Sequence, residues 1–205
     1  MILYQPVGPE ELGLIYDSDF RSFPPRLPEQ PIFYPVTNRG YAERIASEWN
    51  TMSNSFAGYV TEFSVDDKFV AKYDRNIVGA SEHEELWVPA EELEDFNRHL
   101  TTRINVISAF FGPNFTGYVP ASFGLRGKTA LDQLEALSSM LSDAPFDFVI
   151  EISANAKAVY LNFRYWEGID ADVAGLEDDH REVLLGAIRQ VWTEKNGEMP
   201  LLGGC

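Results

Sequence analysis

The sequence predicts a protein of the α+β class, in which a mixed N-terminal domain precedes an α-β-β-α domain. The chain has 205 residues, of which 45% are hydrophobic and 13% aromatic, and this content suits packed cores rather than a disordered acidic chain. Helical and strand-like spacings of apolar residues both occur along it. An apolar, β-prone run over 104–111 ends at the chain-breaking residues 112–114, so we place the boundary between domains 1–112 and 113–205.

The first domain is expected to mix short strands with short helices. Pro9 stands in the first turn of a helix that runs to Tyr16. Asn38 can cap a second helix, from Arg39 to Asn50, in which apolar side chains recur at helical spacing. Five prolines between Phe23 and Pro35 exclude a regular helix and predict a rigid, extended loop. The other expected elements are strands over 2–4, 33–36, 58–65, 85–88 and 104–111, a short element over 68–73 and a short helix over 89–96.

The second domain is expected to place two strands between two helices. An amphipathic pattern predicts a helix over 129–141, and a second apolar stripe predicts a helix over 177–193. The apolar segments 146–153 and 158–166 are interpreted as strands, joined in a hairpin through residues 154–157.

The charge of the chain restricts its partners. There are 32 acidic and 16 basic side chains, which give a formal net charge of −16. Nucleic-acid phosphates and anionic membrane surfaces are bound by clusters of Lys and Arg, so we expect neither as a partner. Solubility alone is one explanation of the charge. A basic protein partner, or a small ligand held by a few local cations, is compatible with it as well.

The sequence offers little for metal binding or membrane insertion. The three histidines are far apart, and the single cysteine, Cys205, excludes an internal disulfide and a thiolate zinc site, so we expect no metal. The first residues lack the basic start and apolar core of a signal peptide, and no apolar run reaches the roughly 18 residues of a membrane helix. We therefore expect a cytoplasmic protein.

Two arginines in the proline-rich loop are candidate anchors for a ligand. Prolines keep the loop extended, so Arg21 and Arg26 can be held in fixed positions. Guanidinium groups bind phosphate and carboxylate groups through paired hydrogen bonds, which favours an anionic ligand here. The alternative is that both arginines pair with nearby acidic side chains on the surface.

Two long motifs resemble a family of short bacterial proteins that carry the label ADP-ribosylation/J-crystallin-like. The first motif is FPPRLPEQPIFYPV over 23–36, followed by Tyr41-Ala42 and Trp49-Asn50. The second is SEHEELWVPAEEL over 81–93, followed by Phe96-Asn97. The resemblance covers about residues 1–110.

The second motif is also similar to a motif of ADP-ribosyltransferases. These enzymes carry three strand motifs: a first Arg or His, a middle aromatic residue or Ser, and a late Glu followed by apolar residues and Pro. The run from His83 to Pro89 resembles the late motif, which implies that Glu85 is the late glutamate. Tyr34 and Tyr41 resemble the aromatic residues of the middle motif, which stack on nicotinamide.

The resemblance to ADP-ribosyltransferases implies a site for NAD. Glu85 and Tyr34 would be its catalytic residues. The residues expected to bind the cofactor are Tyr4, Gln5, Arg21, Arg26, Tyr41 and His83. At the first motif the sequence has Gln5 after Tyr4, where the family has Arg or His.

Three functions therefore remain open: an inactive transferase-like scaffold that binds a nucleotide without turnover, and the two that follow. In the first, the protein cleaves the nicotinamide–ribose bond of NAD: Glu85 stabilises the positive charge that develops on the ribose, while Arg21 and Arg26 hold the pyrophosphate. In the second, it is a non-enzymatic acidic protein of the immunity or antitoxin type, which captures a basic toxin through complementary charge.

Overall fold

The computed structural model describes residues 1–53, 55–79, 83–170, 173 and 175–202. Ser81 and Glu82, which begin the second motif, lie outside the described residues, and so does Cys205. The chain is 48% helical and 17% strand, so the predicted α+β class is confirmed. It divides into two compact units, Met1–Phe115 and Thr116–Cys205.

The N-terminal unit contains seven short strands and four short α-helices among its described residues. The strands are β1 (Ile2–Val7), β2 (Ile32–Phe33), β3 (Ala57–Ser64), β4 (Arg75–Ile77), β5 (Glu84–Leu86), β6 (Val88–Pro89) and β7 (Asn105–Phe111). The α-helices are α1 (Pro9–Asp17), α2 (Arg39–Arg44), α3 (Asp67–Val70) and α4 (Leu93–Arg98). A π-helical turn (Ile45–Trp49) and a 3-10 turn (Asn50–Met52) continue α2, and a 3-10 turn (Ala90–Glu92) precedes α4.

An antiparallel sheet organises this unit. Strand β3 lies between β1 and β7, and β2 pairs separately with β6. The end of the proline-rich loop connects β1 to β5: Val36 exchanges two backbone hydrogen bonds with Tyr4, of 2.8 and 2.9 Å. On its other side, the same segment accepts a bond of 2.8 Å from Leu86 at the carbonyl of Pro35 and donates one of 3.1 Å from Thr37 to Glu84. Strand β5 then pairs with β4.

Side chains pack against both faces of β1 and β3. Leu3 and its cross-strand neighbour Phe63 lie in an aromatic core, where Phe63 contacts the rings of Phe23 and Phe96. The turns that follow α2 cover the opposite face. There Gly58 permits a close approach, since an added Cβ would lie 2.3 Å from the carbonyl oxygen of a π-helical residue.

The C-terminal unit is helical throughout its described elements. Its helices are α5 (Ala130–Asp143), α6 (Pro145–Ala154), α7 (Ala156–Gly168) and α8 (Asp178–Asn196). The capping box of Thr129 and Asp132 begins α5. Buried hydrogen bonds tie the unit together: the indole N–H of Trp166 donates to the carbonyl of Ala130 at 2.8 Å, and the amide of Asn162 donates to Gln133 at 3.0 Å.

The two strands predicted for this unit, over 146–153 and 158–166, are wrong, because both segments are helices. Pro145 occupies the first turn of α6, a position that proline favours. Phe148 and Ile152 are buried, whereas Ile150 between them is 43% exposed. In a strand these three side chains would share one face, so this burial pattern fits a helix. The expected hairpin is instead a junction of two helices at Asn155.

Candidate functional site

Two neighbouring elements position a carboxylate in the part of the N-terminal unit where β5 pairs on both sides. Strand β5 holds Glu85 between Asn76 of β4 and Val36 of the proline-rich segment. Helix α2 begins after Asn38, whose side chain accepts a hydrogen bond of 2.9 Å from the backbone N–H of Tyr41. This cap fixes the first turn of α2, and it brings the Tyr41 ring to Glu85.

Four side chains make up the group that we call the Glu85 cluster: Tyr41, His83, Glu85 and Trp87. The hydroxyl of Tyr41 donates to one carboxylate oxygen of Glu85 at 3.1 Å, and the indole N–H of Trp87 donates to the other at 3.3 Å. The rings of Tyr41 and His83 are stacked, with centroids 4.0 Å apart and an interplanar angle of 12°. Tyr34 lies next to the cluster, with its ring edge-on to Trp87 at 5.8 Å.

Trp87 is not among the site residues that the sequence predicts, although it contacts Glu85 in the structure. The ring is 40% exposed, whereas its neighbours Leu86 and Val88 are fully buried. Alternation along a strand places Glu85 and Trp87 on one face and Leu86 and Val88 on the other. This alternation could have indicated from the sequence that Trp87 is exposed, because Trp87 shares its strand face with the charged Glu85.

Burial and the neighbouring carboxylate keep the hydroxyl of Tyr41 protonated. Burial is the main cause that raises the pKa of Tyr41, and the hydrogen bond to Glu85 and the charge of Glu85 raise it further. The positive charge of Arg44 acts in the opposite direction. Tyr41 is therefore a hydrogen-bond donor to Glu85 over the physiological pH range.

Tyr4 lies on the sheet face that α2 covers, where it packs against the core formed by Val36, Tyr41 and neighbouring residues. Burial raises the pKa of Tyr4, and the charge and hydrogen bond of its cross-strand neighbour Glu62 add to this effect. The positive charge of Arg39 partly offsets this rise in the pKa of Tyr4. Tyr4 thus lies on the same sheet face as Tyr41, and it forms a polar group with Glu62 and Arg39.

Gln5 lies on the opposite face of β1 from Tyr4, as alternation along a strand requires. Its side chain is 7% exposed. The amide nitrogen donates to the carbonyl of Pro6 at 3.3 Å, and the amide oxygen is buried without a partner among the residues that the structure describes. Gln5 and the Glu85 cluster are therefore on different sides of the sheet.

Arg26 forms a partly buried ion pair with α1. Its guanidinium donates to Glu11 at 3.0 Å and to Gln30 at 2.8 Å, and it lies 5.9 Å from the ring centroid of Phe33. Burial raises the pKa of Glu11, although the charge and hydrogen bond of Arg26 oppose this effect. No contact joins Arg26 to the Glu85 cluster in the part of the chain that the structure describes.

Arg21 is exposed and pairs with Asp19 at 3.1 Å. It lines an open cleft of about 660 Å³ beside α4, together with Arg98 and Asn97. The Asn97 side chain is already occupied, because it bonds both the backbone N–H and the carbonyl of Phe23 at 2.9 Å. The structure thus brings together Tyr34, Tyr41, His83 and Glu85 of the predicted site, but not the two arginines.

Across the described ranges, no group of three His, Cys, Asp or Glu side chains is arranged to hold a metal ion. Within the same ranges, no helix has the length and apolar character to span a bilayer. Comparisons of the chain with known protein families, with curated proteins and with solved structures find no match.

Proposed function

We propose that the N-terminal unit binds NAD and cleaves its nicotinamide–ribose bond, as an ADP-ribosyltransferase-like domain. One observation carries this proposal: the carboxylate of Glu85 is held between two neutral donors, the hydroxyl of Tyr41 and the indole of Trp87. Neutral donors orient a carboxylate and leave its negative charge intact. A fixed negative charge suits a reaction in which positive charge develops on a sugar.

In the proposed reaction, the bond between the ribose carbon and the nicotinamide nitrogen breaks. The bonding electron pair leaves with nicotinamide, which becomes neutral, and the ribose becomes an oxocarbenium ion. Glu85 stabilises this ion from the side of the ribose hydroxyls. Water or an acceptor nucleophile then forms the new bond to the ribose carbon and loses a proton.

Aromatic side chains next to Glu85 provide a surface for the nicotinamide ring. Tyr34 is 38% exposed and Trp87 is 40% exposed, so both rings are accessible to a ligand. Flat rings stack or meet edge to face at such surfaces. In this proposal Tyr34 and Trp87 contact the nicotinamide, and the Glu85 carboxylate joins Trp87 to the stacked pair of Tyr41 and His83.

A cation close to the cluster can hold the pyrophosphate of NAD. Arg44 acts on Tyr41 through its charge, and its ion pair with Glu48, at 3.2 Å, is more than half exposed on both sides. Exposed ion pairs contribute little stability, so Arg44 can exchange Glu48 for a phosphate at small cost. We therefore propose Arg44 as the anchor, because Arg26 is engaged with Glu11 and Arg21 lines the separate cleft beside α4.

The test measures NAD binding by thermal shift and nicotinamide release by chromatography. We expect wild-type protein to release nicotinamide and Glu85→Gln to lose about a hundredfold of the rate. Glu84→Gln is the matched control, because Glu84 neighbours Glu85 in β5 but pairs with Arg75 at 3.8 Å. No binding and no release by the wild type would refute the proposal, and release that survives Glu85→Gln would refute the assignment of the site.

The second candidate is the non-enzymatic acidic protein of the immunity or antitoxin type, favoured by the net charge of −16. Complementary charge accelerates encounter with a basic partner and selects it. Size-exclusion chromatography with the product of a neighbouring gene tests this candidate. A stoichiometric complex with a basic protein, in the absence of NAD binding, would favour it over the enzyme.

A further inference from the structure

Three arginines of the C-terminal unit converge on one cleft. The cleft has a volume of about 480 Å³ and lies between the end of α7 and the first half of α8. It is lined by Arg164, Glu167, Arg181, Glu182, Leu185 and Arg189. Three positive and two negative side chains therefore face one another there, which gives a local excess of positive charge in a chain of net charge −16.

Glu167 holds two of the arginines in place. The guanidinium of Arg164 donates to one oxygen of its carboxylate at 2.9 Å, and the guanidinium of Arg189 donates to the other. The Glu167 side chain is 11% exposed, so this carboxylate is largely removed from solvent. Arg189 also lies 5.0 Å from the ring centroid of Phe163, which further fixes its plane.

Each of these two guanidiniums uses a single nitrogen on Glu167. Their other N–H groups have no acceptor in the described part of the chain. The side chains of Arg164 and Arg189 are 48% and 43% exposed, so these donors are accessible from the cleft. The buried carboxylate of Glu167 thus holds two guanidinium groups whose remaining N–H donors are accessible to solvent.

The third arginine adds a charge in a fixed position. Arg181 donates to the carbonyl oxygens of Ile169 at 2.7 Å and Glu167 at 3.3 Å, at the end of α7. Its Nε atom is buried and has no partner among the residues described. Asp178 lies 3.9 Å away and is exposed, so it balances the charge of Arg181 only weakly.

The pair of Arg164 with Glu167 does not serve to join two elements. The pair of Arg189 with Glu167 joins α8 to α7, but Arg164 and Glu167 lie three residues apart on the same helix. Their pair therefore connects no two elements. Its consequence is to hold the Arg164 guanidinium beside that of Arg189 at the opening of the cleft.

We propose that this cleft binds the phosphate monoester group of a small molecule between Arg164 and Arg189. Guanidiniums bind phosphate oxygens through paired, charge-assisted bonds. A phosphate monoester carries nearly two negative charges and three acceptor oxygens, so it matches two open guanidiniums better than a carboxylate does. The volume of the cleft is in the range of small-ligand sites. The proposal is independent of NAD binding, because it concerns the other unit.

The test is a titration of the full chain with inorganic phosphate and with phenyl phosphate, followed by calorimetry and by NMR of the arginine Nε–H signals. We expect saturable binding that moves the signals of Arg164 and Arg189. Arg164→Gln should weaken it about tenfold or more, because a charge-assisted pair is lost. The fold should be retained in this variant, since Glu167 keeps its bond to Arg189.

Arg126→Gln is the matched control, because Arg126 is an exposed arginine of the same unit outside the cleft. It should bind phosphate as the wild type does. No saturable binding by the wild type, or an equal loss in Arg126→Gln and Arg164→Gln, would overturn the site. Acetate that binds as tightly as phosphate would overturn the assignment of the ligand class.

Discussion

Replacing Arg26 by methionine is expected to destabilise the N-terminal unit strongly at pH 8 and less near pH 5. The substitution keeps an apolar stem next to Phe33 and removes the charge that balances Glu11. The carboxylate of Glu11 then remains in a largely buried position without its cation. The same substitution also separates a structural role of Arg26 from a role in ligand binding.

The size of the expected loss in stability follows from the burial of the ion pair between Arg26 and Glu11. The side chains of Arg26 and Glu11 are 13% and 23% exposed. Removing one partner of a buried pair costs about 3–5 kcal/mol, and the remaining exposure places this pair at the lower end, about 3 kcal/mol. For a unit of this size, that loss lowers the melting temperature by about 12 °C.

The pH dependence follows from the pKa of Glu11. Burial holds this pKa above its unfolded value of 4.5, and Arg26 opposes that shift, so removing Arg26 raises the pKa further. The folded state then binds a proton that the unfolded state has lost, and stability falls as the pH rises from the unfolded pKa through the folded pKa. At a pH close to the unfolded pKa, proton uptake by Glu11 in the folded variant offsets part of the loss, so the missing cation costs less there than at pH 8.

The assay is urea unfolding at pH 5 and pH 8, monitored by hydrogen exchange of peptides from β1 and β3, which report on this unit alone. Arg98→Met is the control, because its pair with Glu94 is 65% and 81% exposed and should be worth less than about 1 kcal/mol. Glu11→Leu combined with Arg26→Met should recover most of the loss, since no buried charge remains. An equal loss at both pH values would refute this reasoning. Unchanged stability with weaker NAD binding would instead make Arg26 the anchor that the sequence predicts.

Two further predictions concern packing and ionisation. Gly58→Ala should cost about 1–3 kcal/mol in urea unfolding, because the new Cβ would lie 2.3 Å from the carbonyl oxygen of Ala46. Gly186→Ala, which meets no atom within 4 Å in α8, should stabilise by about 0.5–1 kcal/mol, and a loss there would contradict the packing argument. Tyr73 should ionise only near pH 12 in an ultraviolet titration, because burial and then the bond to Glu92 raise its pKa to about 12. Since the folded state retains this proton, stability should fall as the pH rises above 10, and ionisation of Tyr73 at pH 10 would contradict its burial.

Much of the N-terminal unit could be predicted because its signals are local. Pro9 begins α1, and Asn38 caps α2 through its own side chain. The helix expected from Arg39 to Asn50 is nevertheless divided, with a π-helical turn from Ile45 to Trp49. Cap residues and apolar spacing predict where a helix begins, but they do not predict that a later turn changes from α-helical to π-helical hydrogen bonding.

The helices of the C-terminal unit could not be separated from strands by pattern alone. In α7 all six residues from 158 to 163 are buried, including the polar Asn162, so no exposed face interrupts the run. A helix that is buried on most sides has the same pattern as a buried strand, and only its length distinguishes them. The informative residue is Pro145, which stands immediately before the apolar run and is favoured in the first turn of a helix.

The site itself depends on contacts between residues that are distant in sequence. Alternation along β1 places Tyr4 on the face that carries Tyr41, and Gln5 in the opposite core. The position where ADP-ribosyltransferases carry Arg or His therefore does not supply a side chain to the Glu85 face in this chain. In the proposed reaction β1 contributes the hydroxyl of Tyr4, and cations for the pyrophosphate have to come from α2, where Arg39 and Arg44 act on Tyr4 and Tyr41. In the proposed reaction, the missing first-motif cation would thus change which element holds the phosphates, whereas the two donors that orient Glu85 are in place.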